Sequence, residues 1–268
     1  MTRLNQYLIT EGRSVLIDQE KAIQFIRTKA KYVIPKLKGI IAGDPWIYRG
    51  AANLEAPLYL VNPSLTERVS ANTKNYYTWL MDNSPAWFRY PKRSRSIICT
   101  SDKDSAFGNH AYIVIPEAGS RIGICPSSDL WYSFNDTLSQ YDFADMSMFN
   151  DVLRDILGER YSYTYKDFVR ACISIDDRKD KIGNIKDFVA EVYVQHPQLS
   201  PFLSDYYYGN KSFYKYIQDL LDPKANRFKV TKVESYKPAD ISEVWTDGES
   251  LLVRFGSRLE IDQLSHRE

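Results

Sequence analysis

The order of elements along the chain predicts an α+β protein: a helix, then strands, then a long helical block, then strands again. Three observations carry this. Apolar residues recur at helical spacing near the start, short β-branched runs bounded by glycine and proline follow, and the helical period from Ser128 to about Leu221 gives way to a final β-rich stretch. A sheet completed by pieces far apart in sequence is the expected consequence.

The elements can be justified in turn. Val15, Ile17, Ala22, Ile23, Phe25, Ile26, Ala30, Val33 and Ile34 fit a helix over about residues 18 to 37, with Asp18 as its cap. Gly43-Asp44-Pro45 breaks it, and Trp46-Ile47-Tyr48-Arg49-Gly50 reads as a short strand. Asn72 to Asp82 fits a helix ending at Asn83-Ser84-Pro85. Arg95 to Ser101 is β-rich, and Ala111–Ile115 and Arg121–Cys125 read as two strands joined by a glycine turn. The helical block carries apolar stripes: Phe149, Val152, Leu153, Ile156 and Leu157; Phe168, Val169, Cys172 and Ile173; Ile185, Phe188, Val189 and Val192; Phe213, Tyr216, Ile217 and Leu220. Glu243-Val244-Trp245-Thr246, an Asp247-Gly248 turn and Ser250–Phe255 predict a terminal hairpin. One domain spanning 1–268 is expected, with an N-terminal helical segment 1–42, a β-core of 43–127 and 228–262, and a helical insertion 128–227.

Composition narrows the function. The 268 residues carry 35 basic and 34 acidic side chains, a net charge of +1, which excludes a uniformly basic nucleic-acid coat and an acidic solvating tail. The 44% hydrophobic share suits a packed core; the one bias is 14% aromatic, with 20 Tyr, 12 Phe and 5 Trp. Cys99, Cys125 and Cys172 are too scattered for a disulfide framework or a zinc site, so no metal and a reducing compartment are expected. No signal-peptide core and no run of about 18 apolar residues occurs, which predicts no membrane partner and a location in the cytoplasm, or else transport by a route other than a Sec signal.

Signatures of metalloproteases, P-loops, dinucleotide folds and nucleophile elbows do not occur. His196 precedes a proline in a polar loop and His266 lies near the C-terminus, leaving His110 as the one histidine beside candidate motifs; a histidine-based hydrolase is disfavoured. Three strand-borne features remain. Tyr48-Arg49-Gly50 places a guanidinium, suited to two-pronged phosphate binding, beside a glycine that admits a ligand to the backbone. Thr100-Ser101 ends an apolar strand with hydroxyls, and Glu243 opens another. Glu243 and Glu249 also admit a two-carboxylate hydrolase, although the turn between them makes Glu249 a natural solvated residue. Arg89, Lys92, Arg93 and Arg95, interleaved with Trp87, Phe88 and Tyr90, read either as a solvated loop with Trp87 tucked into the core or as a nucleic-acid or phosphate-binding loop. Tyr76 and Tyr77 are either core or cleft-lining.

In their order, Arg49, Thr100-Ser101 and Glu243 resemble the Arg-Ser-Glu pattern of the mono-ADP-ribosyltransferase superfamily. Ala111 to Ile124 is similar to the element that follows the family's hydroxyl motif, and Glu243-Val244-Trp245 with Leu251-Leu252-Val253 to its catalytic-glutamate strand. The resemblance covers roughly residues 46 to 125 and 238 to 256 and leaves the helical block unmatched. Asn72–Thr78 and Tyr90–Cys99 also resemble stretches of proteins encoded by large tailed bacteriophages.

The resemblance implies a split β-sheet core that uses NAD as substrate, without a metal, and transfers ADP-ribose to a protein or nucleic-acid acceptor, a host component if the source is a phage. It implies catalytic roles for Arg49, Ser101 and Glu243, with Glu243 stabilising the oxocarbenium-like charge that develops as the nicotinamide–ribose bond breaks. Arg49 would hold the dinucleotide. Tyr48, Gly50, Thr100, Ser101, Phe107 and Tyr112 would line its site, one hydroxyl reaching the glutamate and Phe107, or else Tyr112, stacking on nicotinamide. Two departures matter. Cys99-Thr100-Ser101 stands where many members have Ser-Thr-Ser, and Ile241 stands two residues before Glu243 where arginine-modifying members carry Glu or Gln. Arginine is therefore an unexpected target. A non-catalytic or virion-associated protein on the same fold, and an NAD glycohydrolase with water as acceptor, are the alternatives.

Overall fold

The computed structural model describes residues 13–51, 53–68, 76–106, 110–158, 164–192, 199–238 and 240–259. The chain divides into two compact units: a sheet unit from residues 1–72, 88–128 and 229–268, and a helical unit from 73–87 and 129–228.

The sheet unit contains β1 (Arg13–Leu16), α1 (Gln19–Lys29), α2 (Leu37–Ala42), β2 (Tyr48–Ala51), β3 (Leu58–Asn62), β4 (Ile97–Thr100), β5 (His110–Pro116), β6 (Arg121–Ile124), β7 (Lys229–Lys232), β8 (Glu243–Thr246) and β9 (Ser250–Arg254). Asp18 caps α1 as its sequence position suggests, accepting the Lys21 N–H at 2.9 Å, and Ala22, Ile23, Phe25 and Ile26 are buried. The expected single helix to residue 37 is interrupted. Residues 31–36 form a 3-10 turn containing Pro35, which cannot donate to an α-helical ladder, and α2 restarts beyond it to end at Gly43 with φ +108°. Residues 13–16 of the expected helical segment are instead strand β1, paired with β3 from Arg13↔Asn62 to Leu16↔Tyr59.

The strands form one antiparallel sheet in the order β1-β3-β9-β5-β2-β4-β8-β6-β7. β2 and β4 meet at a single paired position, Tyr48↔Thr100, whereas β4 and β8 pair along four. The two strands expected around Gly119 form, joined by the 117–120 turn, but the hairpin expected at Asp247-Gly248 does not. β5 pairs with β2 and β9, β6 with β7 and β8, so the strands on either side of the 117–120 connection are not neighbours; β8 and β9 are likewise apart. The two connections bond to each other instead. The Glu117 N–H donates to the Glu249 carbonyl at 2.8 Å, and Arg121 grips the Asp247 carboxylate at 2.8 and 2.6 Å. A Cβ at Gly248 would stand 1.7 Å from the Ser120 hydroxyl, so the turn glycine serves this close passage rather than a hairpin. The core of the unit joins Phe25, Ile26, Val33, Leu37 and Trp46 to Ile97, Ile113, Ile115, Val244 and Leu251.

The helical unit contains α3 (Tyr76–Asn83), α4 (Asn135–Leu138), α5 (Met146–Leu157), α6 (Tyr165–Lys181), α7 (Ile185–Val192), α8 (Leu199–Tyr208) and α9 (Phe213–Leu220). The stripe residues are buried or half-buried with one exception: on α6 Phe168, Cys172 and Ile175 are buried, while Ile173 is 52% exposed. The spacing i, i+4, i+7 keeps one face inward; i+5 turns outward. Phe202 sits among Tyr141, Phe143, Phe149, Phe213 and Tyr216, with ring centroids 5.2 to 6.2 Å away. Tyr76 stacks on Phe168 and Tyr77 meets Trp131 edge-on, making both core residues. Trp87 is buried and donates its indole N–H to the Leu221 carbonyl at 2.9 Å.

Candidate functional site

Three strands distant in sequence meet in the middle of the sheet. Tyr48 of β2 lies opposite Thr100 of β4, and Thr100 lies opposite Glu243 of β8. Arg49 follows Tyr48 and donates from Nη1 to the Ile98 carbonyl of β4 at 2.5 Å. The register thus brings Arg49, Thr100-Ser101 and Glu243 onto adjacent strands.

Each side chain has a definite environment. Arg49 is 6% exposed, and Gly50 is paired with Ala111 of β5. Tyr48 is buried, its hydroxyl donating to the Asp44 carbonyl at 2.7 Å; burial, aided by Asp44 and Asp102, raises its pKa. Tyr112, opposite Arg49, donates to the carbonyls of Leu54 and Ala56, both at 2.9 Å. Burial, reinforced by Tyr59, pushes the Tyr112 phenol up to about 12. The half-buried Thr100 accepts the Asp102 N–H at 3.2 Å. Phe107 lies outside the described residues, as do residues 72–75.

Ser101 fastens the end of β4 to the entry of β8. Its hydroxyl donates to the Asp240 carbonyl at 2.6 Å and accepts the Ser242 N–H at 2.8 Å, while its own N–H donates to the Ser242 carbonyl at 2.9 Å. These bonds fix the backbone leading into Glu243. A hydroxyl reaching the glutamate is what the family pattern implies; here the Ser101 hydroxyl engages backbone, and a guanidinium reaches the carboxylate.

That guanidinium is Arg93. Its Nη2 donates to Glu243 Oε1 at 2.5 Å, with the two residues 1% and 2% exposed. The Arg93 guanidinium also lies 5.6 Å from the centre of the Trp245 ring, whose N–H donates to the Pro91 carbonyl at 2.9 Å. Gly123 makes room for Trp245: a Cβ there would meet the indole at 2.3 Å. The sequence placed Arg93 in a basic run without distinguishing it from Arg89, Lys92 and Arg95. Nothing in its spacing marks it as the buried member, because its partner lies 150 residues away.

The other candidates are placed elsewhere. Glu249 pairs with Lys29 at 2.5 Å, beyond the end of β8 opposite to Glu243, so the two carboxylates are not gathered as a pair. His110 opens β5 opposite Ala51. Ile241 is exposed. Cys99, Cys125 and Cys172 are buried free thiols. Among the described residues no group of three or more His, Cys, Asp or Glu is arranged to hold a metal, and no helix is long and apolar enough to cross a membrane.

Chemically, the arrangement offers a charge-paired carboxylate fixed by a bonded backbone, a hydroxyl opposite it and a second guanidinium on the next strand. No family model, no curated protein and no solved structure matches the chain.

Proposed function

We propose that the chain is an NAD-dependent mono-ADP-ribosyltransferase whose core is a split β-sheet of that superfamily's kind, acting in the cytoplasm of a phage-infected host. The observation that carries this reading is the adjacency of β2, β4 and β8, with Tyr48, Thr100 and Glu243 in successive register and Arg49 beside them. The single paired position between β2 and β4 is what a split sheet requires. The residues suit NAD in kind: a guanidinium for the diphosphate, and a carboxylate for ribose hydroxyls and the positive charge at the anomeric carbon. In the reaction the bond from that carbon to nicotinamide breaks, and nicotinamide leaves with the electron pair. An acceptor atom bonds to the same carbon and gives up its proton to solvent. Ile241 leaves the site without the upstream acid that would activate a guanidinium acceptor, which favours another protein nucleophile or a nucleic acid.

One observation favours a second reading, a non-catalytic protein on this fold. Glu243 is almost wholly buried and held by Arg93, so its carboxylate already has a partner where the reaction needs it to meet a ribose. Incubation of the protein with NAD labelled in the adenylate and in the nicotinamide, together with bacterial lysate, separates the two. Transferase activity gives a labelled macromolecule and released nicotinamide, both abolished by Glu243→Gln. Release alone identifies an NAD glycohydrolase. Neither product, with the protein folded, leaves the non-catalytic reading.

A further inference from the structure

We propose that the 88–95 segment of the sheet unit is a binding surface for single-stranded nucleic acid, with Phe88 as the stacking platform and Arg89, Lys92 and Arg95 as the phosphate contacts. The argument starts from sequence: no carboxylate occurs from Ser84 to Ser101, and four cations fall between 89 and 95 in a chain whose net charge is only +1. The fold then sorts those residues into two sets. Arg93 is buried against Glu243, and Pro91 and Tyr90 are held by Trp245, the first through its carbonyl and the second by stacking at 6.2 Å with the rings 17° from parallel. The Ser94 carbonyl accepts the Arg68 N–H at 2.6 Å, and the Lys92 carbonyl accepts from the Ser96 hydroxyl at 2.7 Å. The backbone is thereby fixed from beneath.

The second set faces solvent. Phe88 is 71% exposed, Arg89, Lys92 and Arg95 are exposed, and the Arg89 guanidinium lies 5.6 Å from the centre of the Phe88 ring. Among the described residues no ion pair engages these three cations. A large aromatic left in water beside uncommitted cations on a fixed backbone is the chemistry of single-strand recognition, in which a base stacks on a ring while neighbouring phosphates meet the charges. A duplex keeps its base faces covered and leaves Phe88 without a role. An acidic protein satisfies the cations but not the ring. Binding of this kind goes beyond ADP-ribose transfer and needs no NAD.

The test is fluorescence anisotropy of end-labelled twelve-nucleotide oligo(U) and oligo(dT) titrated with the full chain at several salt concentrations, without NAD. The expected result is saturable binding whose log–log salt slope is about −2, near −0.7 for each of three phosphates. Phe88→Ala should weaken it about 5- to 150-fold, the range associated with loss of one base–aromatic stack. Lys92→Gln should make the slope shallower by about 0.7. Both side chains are exposed, so circular dichroism should show either variant folded. Absence of binding at 50 mM salt overturns the proposal. So does equal affinity for a twelve-base-pair duplex with no effect of Phe88→Ala, or displacement by polyglutamate that is equally indifferent to that substitution, the outcome expected of an acidic-protein surface.

Discussion

In the sheet unit the side chains taken inside include full charges, Arg49, Arg93 and Glu243; in the helical unit, Asp129 apart, the buried polar groups are neutral hydroxyls and amides, Thr137, Gln218, Asn226 and the phenol of Tyr206 among them. There Tyr206 donates to Asp176 at 2.5 Å, and Tyr216 donates to Tyr141, which donates to Asp205 at 2.6 Å. Asp129, the one carboxylate buried among the described residues of that unit, caps a turn by accepting the Trp131 N–H. Neutral hydroxyls lose little on leaving water when each finds an acceptor, whereas a buried ion pair is often no more stabilising than well-packed apolar residues. The helical unit therefore looks built for packing. The charged centre of the sheet carries groups that packing alone does not demand, which is why the proposed chemistry is located there.

The contrast can be broken by substitution. Arg93→Ala leaves Glu243 buried without its guanidinium and should cost about 3–5 kcal/mol in urea unfolding. The double replacement Arg93→Met with Glu243→Leu should recover most of that loss. If the double variant is no more stable than Arg93→Ala, the ion pair is itself a structural requirement and the contrast with the helical unit fails. Tyr206→Phe should lose about 1.5–3 kcal/mol, the range for a hydrogen bond to a charged group. Asp176 still accepts the Phe213 N–H at 2.8 Å, so a loss above that of Arg93→Ala would reverse the ranking of the two regions.

The smallest effect concerns acid. Burial raises the Asp219 pKa, but Lys211 and Lys215 outweigh it, and the net direction is down. A depressed carboxylate contributes stability that is present above its unfolded value and is lost as pH falls through its folded value. Asp219→Asn should therefore flatten the stability profile below about pH 4 by a few tenths of a kcal/mol, since the pair is partly solvated. An unchanged acid limb would remove Asp219 from the account.

Local chemistry was legible and long-range pairing was not. Asp18 announced its cap, the stripes on α5 and α9 announced their buried faces, and Thr100 and Glu243 announced strand ends that the register sets opposite each other, whereas Arg49 lies inside β2 next to Tyr48. The hairpin expected at Asp247-Gly248 failed because its glycine and aspartate answer to Ser120 and Arg121 of another connection, which no local pattern reveals. Residues 73–87 joined the helical unit for the same reason: their aromatic partners, Phe168 and Trp131 among them, lie far along the chain. Arg93 was hidden among its exposed neighbours.

The placing of the last two strands has a consequence for biosynthesis. β8 sits between β4 and β6, and β9 between β3 and β5, so each side of the β2–β4 seam has an interior position filled only by residues 243–254. As the chain leaves the ribosome, β3 and β5 have no strand between them, nor do β4 and β6, until those residues emerge. The sheet is thus expected to close late and across long loops, the slow kind of assembly, with apolar strand faces waiting on the final stretch. A nascent chain stalled before residue 243 should expose both gaps together, and release of the remaining strands should close them in a single cooperative step.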